Sequence, residues 1–305
     1  MAEAIIQVSH FKKTYGDFVA VDDLSLEIQE GEIFALLGPN GAGKTSTMES
    51  LEGLRYPDGG TLQVAGIDPS QAAHKLRDLI GVQLQAGGLP ESITPTEAMN
   101  FFCAYHDVLP RHDLLERLGL SEKLSAQYLE LSTGQQRRLA LALAIAHEPK
   151  ILFLDEPTAG LDVGSRRELH SMMRELKENG TTIILATHDM AEAETMSDRV
   201  AILLSGELAM TGTPMQITAA GADVTKISVR TAHASLSTSP SAFPAVNQQM
   251  VKDEYAIFFS TDIGPTLAAI ISHVETQKDE IIDLRVERPS LEDRFVEITQ
   301  SGGQS

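Results

Sequence analysis

The sequence contains a single cysteine, Cys103, among its 305 residues. A disulfide within the chain is therefore excluded, and we interpret Cys103 as a small hydrophobic core residue of a protein from a reducing compartment. Residues 1–10 lack a basic start followed by a long apolar run, so no signal peptide is predicted. The longest apolar run, Leu139 to Ala146, is far too short to span a membrane, so we expect any membrane anchor to be another protein.

Basic residues are scarce beside acidic ones. The chain has 24 Lys and Arg against 43 Asp and Glu, which gives a net charge of −19. This balance argues against nucleic-acid binding and against adsorption to anionic lipid, because both require clustered positive charge. We interpret the acidic surface as a source of solubility. The length allows one large domain and a smaller one.

Short apolar runs alternate with helical patterns up to about residue 212. The predicted strands are Ile5 to Val8, Leu24 to Ile28, Glu32 to Leu37, Ile151 to Leu154 and Thr181 to Thr187. The predicted helices are Gly43 to Leu54, Asp68 to Leu79, Leu139 to His147 and Ser165 to Asn179, with a helix-rich stretch from Thr96 to Leu124. Alternation of this kind predicts an α/β fold with a mostly parallel sheet.

The pattern changes near Thr213 and Pro214. Two strands, Lys226 to Thr231 and Tyr255 to Ser260, flank a Ser- and Pro-rich loop. A helix from Gly264 to Gln277, a strand from Ile281 to Val286 and a helix from Pro289 to Thr299 are predicted to follow them. We therefore predict a first domain over residues 1–218 and a small α+β domain over residues 219–305.

A glycine-rich segment follows the predicted strand that ends at Leu37. It matches G-x-x-x-x-G-K-[ST] and opens a helix, and its residues are Gly38, Pro39, Asn40, Gly41, Ala42, Gly43, Lys44 and Thr45, with Ser46 next. Its glycines let successive backbone N–H groups wrap a phosphate. Lys44 is expected to reach the β- and γ-phosphates, and the Thr45 hydroxyl to bind Mg²⁺. Alone, the motif indicates only an NTPase or a kinase, with a chance glycine-rich turn as the alternative.

Two acids, Asp155 and Glu156, end the apolar strand Ile151 to Leu154. Such a strand is typical of the Walker B pattern, in which Asp155 would hold Mg²⁺. Glu156 lies one residue further and points differently, so we predict that it acts as general base or positions the attacking water. The alternative is a surface turn that happens to carry two acids.

Further motifs resemble those of ATP-binding-cassette (ABC) ATPases. The segment Leu131-Ser132-Thr133-Gly134-Gln135 resembles the signature LSGGQ, with Thr133 in place of the first glycine. Gln85 resembles the Q-loop glutamine, Gly160-Leu161-Asp162 the D-loop, His188 the switch histidine, and Tyr15 the aromatic that stacks on adenine. The motifs occur in the family's order and cover about residues 4–215. The resemblance implies a P-loop NTPase-type nucleotide-binding domain with a helical subdomain, using ATP and Mg²⁺.

The resemblance also implies a role for each of these residues. Tyr15 would offer its ring to adenine, Gln85 would meet Mg²⁺ and the attacking water, and His188 would bind the γ-phosphate. Taken without the family pattern, Tyr15 fits a core or rim aromatic, Gln85 a solvated residue, and His188 a structural histidine. These alternatives are open at the level of the sequence.

In the family, the signature faces ATP that is bound to a second subunit. Ser132, Gly134 and Gln135 would therefore complete the partner's site through the N-terminus of their helix. Because this chain carries both Glu156 and the signature, the resemblance implies a homodimer with two complete sites. Thr133 is a departure from the family pattern, since a β-branched residue is less permissive than glycine.

The C-terminal segment Arg288 to Phe295 reads RPSLEDRF and resembles the ending of bacterial drug-exporter ATPase subunits. An amphipathic terminal helix capped at Ser290 explains the same residues. The resemblance implies an export motor, located in the cytoplasm at the inner face of the membrane through a separate permease. An importer motor and a non-transport ABC ATPase are the alternatives, and a P-loop kinase leaves the signature and His188 unexplained.

Overall fold

The computed structural model describes residues 4–83, 88–219, 224–238 and 243–302. The chain divides into two compact units, Met1–Pro214 and Met215–Ser305, shortly before the predicted domain boundary at residue 218. That each unit folds on its own stays a prediction. Within the described ranges, no helix combines the length and apolar character that a membrane span requires.

The first unit is built on a six-stranded sheet in the order β5-β6-β7-β3-β8-β9. Its strands are β3 (Ile33–Leu37), β5 (Ile80–Gln83), β6 (Ile151–Asp155), β7 (Thr182–Thr187), β8 (Arg199–Leu204) and β9 (Glu207–Gly212). Neighbours are parallel except β8 and β9. Strands β3, β6 and β7 are buried at every residue, as expected for parallel strands covered on both faces. The predicted α/β class with a mostly parallel sheet is confirmed.

A separate antiparallel sheet has the order β2-β1-β4. Its strands are β1 (Ala4–Tyr15), β2 (Phe18–Gln29) and β4 (Gly59–Val64). The sequence pattern did not distinguish this sheet from the parallel one. Only two residues connect β1 to β2, and Gly16 there has φ of 60°. A connection this short makes a hairpin, because a parallel crossover needs a dozen residues or more.

Helices cover the sheets of the first unit and form a helical stretch between β5 and β6. They are α1 (Lys44–Leu51), α2 (Pro69–Leu76), α3 (Pro95–Tyr105), α4 (His112–Arg117), α5 (Thr133–Ile145), α6 (Val163–Glu178) and α7 (Met190–Met196), with 3₁₀ turns at Ser121–Lys123 and Tyr128–Glu130. The predicted start of a helix at Leu139 was wrong, because α5 begins at Thr133. Ser132 caps the helix ahead of its apolar run.

The second unit has an antiparallel sheet in the order β11-β12-β10-β13. Its strands are β10 (Thr225–Thr231), β11 (Val246–Lys252), β12 (Tyr255–Ser260) and β13 (Ile281–Glu287), and the helices near or within it are α8 (Pro214–Ala219), α9 (Ser235–Thr238), α10 (Ile263–Thr276) and α11 (Leu291–Gly302). Ile227, Val229 and Phe258 form a core with Ile270 and Val274 of α10. Ser290 caps α11, since its hydroxyl accepts the N–H of Asp293 at 3.2 Å.

Candidate nucleotide site

The glycine-rich loop lies where the buried strand β3 meets helix α1. The ammonium group of Lys44 donates to the carbonyl oxygens of Gly38 at 2.7 Å and Pro39 at 3.1 Å, so the lysine spans the loop from inside. Gly43 has φ of 98°, and a Cβ there would lie 2.6 Å from the carbonyl oxygen of Ala20. Only glycine fits this close approach, which brings the loop backbone against β2.

Thr45 and Asp155 place two hard oxygen ligands side by side. The Thr45 hydroxyl donates to Asp155 Oδ2 at 3.4 Å, from the start of α1 to the end of β6. Burial raises the pKa of the Asp155 carboxyl, and the neighbouring Glu156 carboxylate raises it further. The Asp155 and Glu156 carboxylates repel each other when both are charged. A divalent cation bound beside them would offset this repulsion. The residues present therefore suit Mg²⁺.

Glu156 is buried and held in an unusual backbone conformation. Its φ of 49° lies in the left-handed region, which costs a non-glycine residue about 1 kcal/mol or more. Its N–H donates to the carbonyl oxygen of Ala186, and its own carbonyl oxygen accepts from the guanidinium of Arg137. His188 Nδ1 lies 2.7 Å from Glu156 Oε2. The glutamate carboxylate is thus fixed beside an exposed imidazole.

An aromatic pair lies at the hairpin between β1 and β2. Tyr15 and Phe18 face each other across the strand pair, and the two residues are 39% and 60% exposed. The Tyr15 hydroxyl lies 3.2 Å from Ser46 Oγ, which ties the hairpin to the first turn of α1. Lys13 and Arg55 lie over the Tyr15 ring at 5.5 and 5.3 Å from its centroid. Phe18 was not predicted as a site residue.

These parts enclose one cavity of 260 Å³. It is lined by Tyr15, Phe18, Ala20, Asn40, Gly41, Gly43, Lys44, Thr45, Ser46, Asp155 and Glu156. Burial lowers the pKa of the Lys44 ammonium, whereas the Glu156 and Asp155 carboxylates oppose that shift. The cavity combines the buried Lys44 ammonium, the neighbouring oxygens of Thr45 and Asp155, and aromatic rings at its rim. Such a cavity can hold a nucleotide and its metal ion. Gln85, the predicted Q-loop residue, lies outside the described residues.

The signature segment does not line this cavity. Ser132 caps α5: its hydroxyl accepts the N–H of Gln135 at 3.3 Å, and Gln135 Oε1 accepts the N–H of Ser132 at 2.9 Å. This reciprocal pair is a capping box, which fixes the first turn of the helix. Thr133 takes the first helical position, where a β-branched residue is compatible with the backbone. Ser132 and Thr133 are exposed, and Gly134 is half-buried.

Asp162, in the D-loop segment, has a well-defined local role. Its carboxylate caps α6 by accepting the N–H groups of Gly164 at 2.9 Å and Ser165 at 3.0 Å. The Ser165 N–H and hydroxyl hold the pKa of this carboxyl below its usual value. The segment therefore enters α6 with a fixed geometry, and Asp162 itself stays exposed.

A second, larger cavity is an apolar groove of 490 Å³. Its walls include Leu54, Phe102, Tyr105, Leu143 and His147. Glu52 is also in the wall, is buried, and has no hydrogen-bond partner for Oε2 among the described residues. Burial raises the pKa of the Glu52 carboxyl to about 8, and the Glu49 and Asp155 carboxylates add to the shift.

Because the pKa of the Glu52 carboxyl is raised in the folded protein, we expect the free energy of unfolding to fall as pH rises. Between pH 4.5 and about 8, folded Glu52 keeps a proton that the unfolded chain has lost, so each pH unit removes up to about 1.4 kcal/mol from the free energy of unfolding. Glu52→Gln should abolish this component and exceed the wild-type stability at pH 8 by about 4 kcal/mol. Urea unfolding at pH 5.5 and 8 measures it, with exposed Glu91→Gln as the control. An equal pH dependence in Glu52→Gln and the wild type would contradict the prediction.

Comparisons with a family model, with curated proteins and with solved structures all find similarity to ATP-binding proteins of ABC transporters or of export systems. The family model described as ABC transporter matches residues 21–159. A daunorubicin resistance ATP-binding protein from Streptomyces coeruleorubidus is 32% identical over 98% of this chain and 97% of that protein. A Nod factor export ATP-binding protein I from Paraburkholderia xenovorans (strain LB400) is 34% identical over 98% of each. A dimeric ATP-binding cassette solved in a post-hydrolysis state with ADP and Pi has a TM-score of 0.63 and 26% identity, covering 68% of this chain and 98% of that one.

The similar proteins and the geometry of the cavity both support the ABC resemblance found in the sequence motifs. Both curated relatives align over almost the whole chain, so the similarity extends beyond the nucleotide motifs into the second unit. The solved cassette shares the fold of the first unit, in which Lys44, Thr45, Asp155 and Glu156 line one cavity. The chain belongs to the ABC transporter family, as an ATP-binding subunit with ATPase activity.

Proposed function

We propose that this chain is the motor subunit of an exporter, hydrolysing ATP with Mg²⁺ in the cavity between β1, α1 and β6. The observation that carries the proposal is the convergence of Lys44, Thr45, Asp155 and Glu156 on one cavity. Lys44 pairs with the phosphates, aided by the backbone N–H groups of the loop and the N-terminus of α1. Asn40 and Gly41 form the exposed outer wall of the loop.

Thr45 and Asp155 would hold Mg²⁺ through their neighbouring oxygens, with Gln85 as a further ligand by family resemblance. Bound Mg²⁺ supplies positive charge against the phosphate oxygens during hydrolysis. Deprotonation of Asp155, whose pKa burial has raised, is then favoured by the cation.

Glu156 orients the attacking water and accepts its proton. Its carboxylate lines the cavity, and its Oε2 is 2.7 Å from His188 Nδ1. His188 keeps the carboxylate oriented and, from its exposed position, senses the γ-phosphate. The strained backbone at Glu156 and the Arg137 contact to its carbonyl oxygen hold this geometry in place. Arg137 belongs to α5, the helix that begins with the signature. Its contact therefore connects the backbone of Glu156 to the signature helix.

Tyr15 is proposed to stack on the adenine, with Ser46 fixing its hydroxyl. Replacing Tyr15 by alanine should raise the Kd for ATP by about tenfold, in line with about 1–1.5 kcal/mol for a stacked aromatic. Tyr15→Phe keeps the ring and should bind within about twofold of wild type. Titration calorimetry with ATP distinguishes the two variants. Equal Kd values for Tyr15→Ala and wild type would remove Tyr15 from the base site and leave Phe18 as the candidate.

The working unit is proposed to be a homodimer with two composite sites. Ser132, Gly134 and Gln135 lie at the exposed N-terminus of α5 and do not line the chain's own cavity. A helix N-terminus attracts phosphate, so this one suits the γ-phosphate in a second copy. Bound nucleotide then holds two copies together, and hydrolysis releases them.

The permease is proposed to dock on the apolar groove of the first unit. Phe101, Tyr105, Leu54 and Leu109 are large exposed hydrophobic residues in the elements that form or flank it. Apolar patches of this kind mark protein-interaction sites. Through this contact the chain would be held in the cytoplasm at the inner face of the membrane, and export of a small molecule or drug agrees with the names of its relatives.

Recovery of the tagged chain from detergent-solubilised membranes of its own host tests the transport role. We expect an integral-membrane subunit to copurify and to raise the ATPase rate several-fold when reconstituted with the chain. A chain that fractionates with ribosomes or nucleic acid instead would favour a non-transport ABC ATPase, although the net charge of −19 argues against that function. Uptake of the substrate on reconstitution, rather than its expulsion, would indicate an importer.

A further inference from the structure

Strand β13 is an edge strand of the sheet in the second unit. In the part of the chain that the structure describes, it pairs with β10 on one side and with no strand on the other. An edge strand presents a row of backbone N–H and C=O groups that can pair with another chain. Natural edge strands usually avoid this by being short, by carrying charged side chains, Pro or bulges, or by being covered by another element.

One row of β13 side chains is apolar and exposed along the open edge. Ile282, Leu284 and Val286 are 54%, 39% and 44% exposed. The pairing with β10 shifts by one residue between Asp283 and Ile281, so Ile282 lies in a bulge and Leu284 and Val286 lie in the regular part of the strand. Leu284 and Val286 lie opposite Val229 and Ile227 of β10, so this apolar row continues the face that carries the core of the unit. The core face of the sheet therefore runs out to an open edge at Leu284 and Val286.

The opposite face of β13 carries charges that alternate in sign. Asp283, Arg285 and Glu287 occupy it in turn. Arg285 Nε and Nη2 lie 2.9 and 2.8 Å from Asp283 Oδ2, and the Tyr255 hydroxyl donates to the same oxygen at 2.6 Å. Neither charge is buried, so both are available to a strand laid against the edge.

This alternation makes β13 complementary to a second copy of itself. In an antiparallel pair centred on Leu284, Asp283 lies opposite Arg285 twice, with the two Leu284 side chains opposite each other between them. Centring the pair on Asp283 or on Arg285 instead places two like charges directly opposite, which is destabilising. A shift by one residue would place apolar side chains opposite charged ones. Centring the pair on Val286 also places Arg285 opposite Glu287 twice, but only residues 285–287 of each strand then overlap. The register centred on Leu284 is favoured because it overlaps the most residues, with Ile281 opposite Glu287 at each end.

We propose that β13 pairs with β13 of a second copy in this register, joining two four-stranded sheets into one of eight strands. The pairing needs no nucleotide, because it involves only the second unit, and it would keep two motor subunits together while their ATP sites are open. A seven-residue edge buries little area, so an association in about the micromolar range is expected.

The other edge strand, β11, provides a matched control. Val251 is 52% exposed there, as much as the apolar residues of β13. Lys252 is the one charged residue of β11, so self-pairing would gain no ion pairs. Val251→Asp should therefore leave self-association unchanged, whereas Leu284→Asp, at the centre of the proposed pair, should abolish it.

Charge reversal tests the register in the full chain without nucleotide. D283R and R285D each place like charges opposite each other in the proposed pair. The dissociation constant for self-association, measured by light scattering, should therefore be at least about tenfold higher than for wild type. Mixing the two single variants in equal amounts should restore association, because each now carries charges complementary to the other. Disruption within one strand cannot explain such a recovery, since neither variant regains its own Asp283–Arg285 ion pair.

Cysteine crosslinking gives a second measurement that does not depend on charge. In a Cys103→Ser background, L284C, at the centre of the proposed pair, should form a disulfide with its own copy. A wild-type chain that is monomeric up to about 100 µM, single reversals without effect, or a mixture that stays monomeric would each overturn the proposal. The ATP site is separate, so ATPase activity distinguishes this failure from failure of the motor function.

Discussion

Glu156→Gln should bind ATP within a few-fold of wild type and hydrolyse it about 10²–10⁴ times more slowly. Glutamine keeps the size of the side chain and can still accept a hydrogen bond from His188, but it cannot take a proton from water. The carboxylate is the one in the cavity that lies 2.7 Å from His188 Nδ1. Steady-state phosphate release and a separate ATP titration measure the two effects.

Glu192→Gln is the matched control for this prediction. Glu192 is also a buried glutamate beside a histidine, with His170 Nε2 3.0 Å from its Oε1, but it does not line the cavity. Loss of the Glu192 carboxylate is expected to lower the stability of the fold and to leave turnover per folded molecule unchanged. Wild-type hydrolysis by Glu156→Gln would remove this residue from the role of general base.

Lys44→Ala is expected to weaken ATP binding itself, by about tenfold to a hundredfold. Its buried ammonium is the positive side chain of the cavity, and alanine would leave the phosphates to the backbone N–H groups and the helix N-terminus. The ammonium also donates to Gly38 and Pro39, so the loop should loosen. Calorimetric titration with ATP gives the change in Kd.

Lys177→Ala controls for the loss of one positive charge. Lys177 pairs with Asp198 at 2.5 Å and lies outside the cavity. We expect it to leave the Kd for ATP unchanged. An unchanged affinity in Lys44→Ala, at wild-type thermal stability, would show that the glycine-rich loop does not bind the phosphates of this nucleotide.

The phosphate-binding part of the site was predictable because its determinants are local. The loop follows a buried strand and opens α1, and the acids Asp155 and Glu156 end another buried strand. Both strands are parallel, so their carboxyl ends lie at the same edge of the sheet. The strand order explains what the sequence could not: β7 lies between β3 and β6 and brings His188 to Glu156.

Other features depend on contacts between segments that are distant in the sequence. Phe18 reaches the cavity only because β1 and β2 form a hairpin that places it opposite Tyr15. Arg137 reaches the carbonyl oxygen of Glu156 through the packing of α5, and neither residue type signals this contact. Glu52 carries a shifted pKa because the fold buries it, although its neighbours in the sequence do not predict that burial.

The apolar pattern alone placed the start of α5 too late, whereas the family resemblance implied a helix opened by Ser132 and Gly134. Ser132 and Gln135 have the spacing of a capping box, and the structure uses them in that way. The pattern-based prediction started the helix at Leu139 because the apolar run begins there. In the fold, capping of the backbone N–H groups extends the helix toward its N-terminus and gives the signature its exposed position.

Crosslinking between the loop of one copy and the signature of another reports whether two copies form the composite site. Asn40→Cys and Ser132→Cys, both at exposed positions, are introduced into separate Cys103→Ser/Glu156→Gln chains, which are mixed and treated with a short bis-maleimide. We predict a crosslinked dimer with ATP and Mg²⁺, and little with ADP or without nucleotide. A crosslinking yield that is the same with ATP, with ADP and without nucleotide would contradict the account.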